Sequence, residues 1–184
     1  MAEVVQFKPR GDNWDENLID YVRAAKSLPF MAASKIEWDA PTWDLEGLAK
    51  PERAGHRPIV RFAGGRTKLH SLTGQMGEFA RAYVVFKIAA EFGVQRQVGK
   101  FTKPVSMMRM LAGVMADLGI SEPSDVTPAV LDAVVETLRA GGGKDYGIEQ
   151  RSKALEWVAR ELNDAGVVRS PFAWSPGVAD FKFR

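Results

Sequence analysis

The sequence predicts a mostly α fold: a bundle of four to five helices preceded by a small irregular α/β N-terminal subdomain. Three observations carry that reading. From Leu69 onward, apolar residues recur at helical spacing in four segments, each bounded by glycine, proline or a capping residue. Residues 30–67 have no helical period and hold Trp38, Trp43, Pro41, Pro51 and Pro58. The composition, 46% hydrophobic and 26% charged over 184 residues, is that of a globular chain long enough to bury a real core.

The first ten residues read as an extended arm ending at Pro9-Arg10-Gly11. Asn13 followed by Glu16 is a capping-box pattern, and Trp14, Leu18, Tyr21, Val22, Ala25 and Leu28 then repeat at helical spacing up to Pro29. The runs Lys35–Trp38 and Ile59–Phe62 are β-prone and suggest a two-stranded ribbon that ends at Gly64-Gly65. The first bundle helix is expected from about Thr73 to Phe92, stopping at Gly93. Its apolar residues cover most of the circumference and leave a polar stripe through Arg81, Lys87 and Glu91, which makes it the central helix.

The second bundle helix is expected from about Pro104 to Leu118, capped by Thr102 or Lys103 and followed by Gly119. Met108, Leu111, Met115 and Leu118 would face the core, with Ser106, Arg109 and Gly113 outside, and the methionines Met107, Met108, Met110 and Met115 filling the core. The third has the clearest start: Thr127 as cap, Pro128 at the first helical position, and Val126 stapled to Leu131. Gly141-Gly142-Gly143 ends it in a turn. The fourth is capped near Asp145 and runs to Gly166, with Ile148, Ser152, Leu155, Ala159 and Leu162 inward and Gln150, Lys153, Trp157 and Arg160 outward. Trp157 is expected to pack against the N-terminal subdomain. A turn-rich tail follows, anchored by Phe172 and Trp174. The expected divisions are 1–67 for arm and subdomain, 68–168 for the helical domain, and 169–184 for the start of a linker.

Charge is sorted along this chain. Residues 1–52 carry 6 Lys/Arg against 10 Asp/Glu, residues 53–116 carry 11 against 2, and residues 117–184 carry 8 against 11. The net charge of +2 therefore hides a basic middle block. Two stretches in it, 53–77 and 92–116, contain no carboxylate at all. Such a block draws a polyanion, most commonly nucleic acid, unless the acidic flanks fold back and cancel it.

Several chemistries are excluded or unsupported. With no cysteine there is no disulfide, thiol catalysis or thiolate metal site, which fits a reducing cytoplasm. His56 and His70 have no ligand-like spacing, so no metal and no cofactor is expected. Ala63-Gly64-Gly65-Arg66-Thr67-Lys68 lacks the spacing and ending of a phosphate loop, and Gly141-Gly142-Gly143-Lys144 follows a helix rather than a strand. No nucleophile-elbow or zinc-protease motif occurs. The N-terminus is too polar for a signal peptide, and no charge-free apolar run approaches the ~18–20 residues of a membrane helix, so a soluble, cytoplasmic binding module is expected.

Phe101-Thr102-Lys103-Pro104-Val105-Ser106, Leu111 to Ile120, Pro123-Ser124-Asp125-Val126-Thr127 with Leu131, and Tyr146 to Leu155 together resemble the core-binding domain of tyrosine recombinases, the phage integrases. Val4 to Arg10 and Trp38-Asp39 to Trp43-Asp44 are similar to the leader of a bacterial integrase subgroup. The likeness spans about residues 1–175 and is strongest over 76–165. It implies a SAM-like bundle that clamps one face of double-stranded DNA beside other recombinase protomers, while a separate catalytic domain supplies a tyrosine nucleophile with Arg and His-x-x-Arg. This chain departs from that set. Three residues after His56 lies Ile59, three after His70 lies Thr73, and Tyr21, Tyr83 and Tyr146 all come too early. The expectation is the non-catalytic N-terminal portion of an integrase.

Charge and resemblance converge on the second and fourth bundle helices. Lys100, Thr102, Lys103, Ser106 and Arg109 surround the start of one, where free backbone N–H groups also favour phosphate. Lys144, Gln150, Arg151 and Lys153 do the same for the other. Arg109 and Gln150 are the candidates for reading bases, and the others for phosphate. Tyr146 falls in a first helical turn, a place suited to packing or phosphate contact. The competing expectation is a protein-interaction module whose basic block meets an acidic partner or a neighbouring protomer.

Overall fold

A computed structural model describes residues 6–90, 97–142 and 144–177. The fold is mostly helical with one small sheet: α1 (Trp14–Lys26), α2 (Pro29–Ala33), β1 (Thr42–Asp44), β2 (Ile59–Arg61), α3 (Gly74–Ala89), α4 (Gly99–Asp117), α5 (Pro128–Ala140) and α6 (Asp145–Asp164), with a 3-10 turn at Pro123–Asp125 before α5.

The N-terminal third is built around aromatic side chains. Asn13 Oδ1 accepts from the backbone N–H of Asp15 at 3.1 Å and of Glu16 at 3.4 Å, which caps α1 as its sequence predicts. Tyr21 stacks on Phe79 and Phe86 of α3, and Phe7 of the arm meets the Tyr21 ring edge-on at 5.1 Å. The ribbon is antiparallel, with Trp43 opposite Val60. Its first strand is Thr42–Asp44 rather than Lys35–Trp38. That earlier run is instead tied by side chains: Trp38 Nε1 donates to Glu78 of α3 at 2.9 Å, and the Glu37 carbonyl accepts from Trp43 Nε1 at 3.0 Å. Pro29 starts the short α2, since proline suits a first helical position.

Helix α3 is buried on nearly all sides, as a central helix must be. Arg81, expected on its polar stripe, is itself buried. Its guanidinium lies 4.9 Å from the Phe62 ring centre and points at the carbonyls of Asp39 and Ala40, at 3.4 and 3.5 Å. Glu91, Phe92 and Gly93, on which the expected end of this helix falls, lie outside the described residues.

Helix α4 starts five residues earlier than Pro104 suggests. The Val98 N–H donates to the Lys50 carbonyl at 2.7 Å, pinning the chain just before Gly99, and Pro104 sits inside the helix. A proline there cannot donate to the carbonyl of Lys100, an exposed position where water can replace the lost partner. Two facial assignments also change: Leu118 is 55% exposed, whereas Arg109 is 3% exposed.

Helix α5 has Thr127 as its cap and Pro128 at its first position, although the cap is made by backbone conformation and Thr127 supplies no side-chain bond. Val126 and Leu131 are both buried, as a staple requires. Helix α6 begins one residue past Lys144 and buries Ile148, Ser152, Leu155, Ala159 and Leu162. Gly143 lies outside the described residues. The tail returns across the bundle, with the Phe172 N–H on Asn163 Oδ1 at 2.8 Å and Trp174 Nε1 on Asp132 at 2.9 Å. One hydrophobic cluster runs from Leu18 to Val168 and passes without a break from the ribbon into the bundle.

A hydrogen-bonded trio joins the arm side to α6. The buried Tyr21 hydroxyl donates to Glu161 Oε1 at 2.8 Å, and Lys87 Nζ meets Glu161 Oε2 at 3.0 Å. Burial first, and Glu161 second, raise the pKa of both Tyr21 and Tyr83. Each phenol keeps its proton in the folded state where an unfolded tyrosine loses it, near pH 10. The unfolded chain then binds fewer protons, so stability falls as pH climbs past about 10, by up to about 1.4 kcal/mol per pH unit for each tyrosine. Urea titrations from neutral to alkaline pH should show this decline, less steep in Tyr83→Phe. A variant curve parallel to that of the parent removes Tyr83 from the account.

Candidate nucleic-acid interface

Residues four apart share a helix face, so Thr102, Ser106 and Met110 form one row on α4 and Lys103 and Met107 the next. The first turns of α6 present Tyr146 with Gln150, and Gly147 with Arg151, by the same rule. These rows face each other across a groove of about 660 Å³ closed at one side by Thr67, Lys68 and Leu69. Among the described residues, its lining holds three cations and no carboxylate. Among the described residues, Lys68, Lys103 and Arg151 take part in no ion pair. The basic block is therefore not cancelled here by the acidic flanks.

The third wall depends on Arg109. Its Nε donates to the His70 carbonyl at 2.8 Å, and one terminal nitrogen donates to the carbonyls of Gly64 and Leu69, both at 2.9 Å. Gly64 and Gly65 take positive φ, 65° and 93°, which lets the loop after β2 turn back toward this guanidinium. Burial lowers the Arg109 pKa, but a guanidinium stays charged at any ordinary pH. Arg109 is thus the staple that holds residues 64–70 against α4 and brings Lys68 to the groove. It is poorly placed to read bases, because it is 3% exposed and three of its five N–H donors bond the chain's own carbonyls.

Of the nine residues expected at the interface, Thr102, Lys103, Ser106, Gln150 and Arg151 line the groove together. The other four stand elsewhere. Lys100 lines a second, smaller depression of about 300 Å³ with Tyr83, Lys87, Phe101, Trp157, Arg160, Glu161 and Asp164, where two carboxylates stand against three cations. Trp157 sits there, 43% exposed, rather than packed against the N-terminal subdomain. Lys144 is exposed at the N-cap of α6, and its carbonyl accepts from the N–H of Gly147 and Ile148. Lys153 is bound to the buried Glu149 at 2.6 Å, and that hydrogen bond and charge raise its pKa.

The start of α4 is not an open phosphate seat either. A Cβ placed on Gly99 would lie 2.5 Å from Glu52 Oε1, so a carboxylate already occupies the end of the helix where free N–H groups would draw an anion. Sequence reading missed Thr67, Lys68 and Leu69 as groove residues, while Met110, expected in the core, packs against it and also lines the groove. Lys68 carried a signal, since it belongs to a carboxylate-free stretch.

Among the described residues, no group of three or more His, Asp or Glu could hold a metal ion, and no helix is long and apolar enough to cross a membrane. No protein-family model, no curated protein and no solved structure matches this chain.

Proposed function

We propose that this chain is the non-catalytic, DNA-binding N-terminal portion of a site-specific tyrosine recombinase, which clamps duplex DNA at a recombination site beside other protomers. The observation that carries the proposal is the groove between α4 and α6, where, among the described residues, Lys68, Lys103 and Arg151 take part in no ion pair and no carboxylate lines the walls. Hydroxyls of Thr67, Thr102 and Ser106 add short-range donors of the kind that hold phosphate oxygens. The α4 and α6 segments that form it lie within residues 76–165, where the sequence most resembles a recombinase core-binding domain.

Fluorescence anisotropy with a labelled duplex tests this directly. Half of a recombinase clamp binds weakly, so a Kd on the order of micromolar or weaker is expected at physiological salt, rising steeply as salt is added. Unlabelled duplex should compete better than heparin at equal charge. Affinity that ignores salt removes phosphate contact from the picture, and heparin competing better than DNA turns the reading toward an acidic protein partner. A nicked suicide substrate should leave no covalent adduct on a denaturing gel, since the chain offers no tyrosine beside a His-x-x-Arg set.

A further inference from the structure

We propose that the groove between α4 and α6 accommodates an unpaired nucleobase, stacked on Tyr146, while Lys68, Lys103 and Arg151 hold the phosphates that flank it. The inference rests on the nucleic-acid reading and narrows it to a strand with at least one base out of the duplex.

Phosphate contact alone explains the cations but not the rest of the lining. Tyr146 is 68% exposed at the groove, whereas Tyr21 and Tyr83 are buried in the core. Exposing a phenol ring costs solvation free energy that burial would recover, and at this rim its face is free to receive a flat partner. Leu69, Met107 and Met110 add an apolar, polarisable floor, which suits a base and gives nothing to a phosphate ridge. Gln150 lies one helical turn from Tyr146 on the same face, and its amide carries both a donor and an acceptor for a base edge. The groove volume of about 660 Å³ falls in the range of sites that take a nucleotide-sized ligand. Cations spaced around an aromatic platform are the arrangement by which single strands are bound without strict sequence preference.

Three labelled probes decide it: a fully paired duplex, the same duplex with one unpaired base, and a short single strand. The full chain should bind the second and third roughly 5- to 100-fold more tightly than the first, the contribution of one stacked base. A 2-aminopurine at the unpaired position should be quenched on binding. Tyr146→Ala should erase the preference for the unpaired probes over the duplex, and Tyr146→Phe should keep it, because stacking needs the ring and not the hydroxyl. Equal melting temperatures for the three proteins would confine the effect to the groove. Equal affinity for paired and unpaired probes, or a preference that survives Tyr146→Ala, overturns the inference and leaves the duplex-binding proposal standing. Binding to none of the probes overturns both.

Discussion

Replacing Arg109 with methionine is expected to lower folding stability by about 2–4 kcal/mol. Methionine approximates the length of the arginine stem, so little packing is lost and the penalty isolates the guanidinium. That group gives up three hydrogen bonds of 2.8 to 2.9 Å, to the carbonyls of His70, Gly64 and Leu69. Bonds from a charged donor each contribute about 1.5–3 kcal/mol, but the loop carbonyls can regain water once released, which holds the total below their sum. Arg109→Lys should not rescue it, since one ammonium lacks the planar fork that meets the His70 carbonyl through Nε and the Gly64 and Leu69 carbonyls through a terminal nitrogen, and would be left buried with unmet donors. The urea midpoint reports the loss, and an unchanged m-value shows that the unfolded state is not what moved. A second readout ties the staple to the interface. With residues 64–70 released, Lys68 leaves the groove, and the salt dependence of DNA binding should flatten by about one unit. Stability within about 0.5 kcal/mol of the parent would show that the three bonds are dispensable.

Arg109 also marks where sequence reading stops. Nothing local separates it from an exposed helix arginine, because its partners are backbone carbonyls 39 to 45 residues earlier in the chain. Arg81 is similar: its partners, Asp39, Ala40 and Phe62, flank the ribbon strands, and helical periodicity alone assigns it to the surface. Where the determinants are local, the reading holds. Thr127-Pro128 fixes the start of α5, Asn13 that of α1, and the spacing of Ile148, Ser152, Leu155, Ala159 and Leu162 the inner face of α6. The start of α4 fails for the opposite reason. Pro104 is a good local start signal, overridden by the long-range bond from Val98 to Lys50. Part of the site was legible after all. Glu149 and Lys153 stand four apart in the favourable order on one helix, which was sufficient to predict that Lys153 is already paired.

The largest functional effect is expected from the triple substitution of Lys68, Lys103 and Arg151 by alanine. If each side chain meets one phosphate, affinity for every duplex sequence falls together and the salt slope flattens by up to about three units. Folding should hardly change, since all three are exposed and make no ion pair among the described residues. The informative comparison is a Lys100→Ala, Lys153→Ala double variant. It also removes cations from α4 and α6, but from positions that the fold assigns to other work. Lys153 neutralises Glu149, and Lys100 stands beside Glu161 and Asp164 in the depression under Trp157. A phosphate there must compete with carboxylates already in place, so this variant should keep its salt slope within about half a unit while losing some stability as Glu149 is left unpaired. The triple variant removes three positive charges and the double variant two, so a response to net charge alone would move the salt slope in that ratio rather than leave the double variant unchanged. A slope lost from the double variant and kept in the triple one would put the DNA on the Trp157 face.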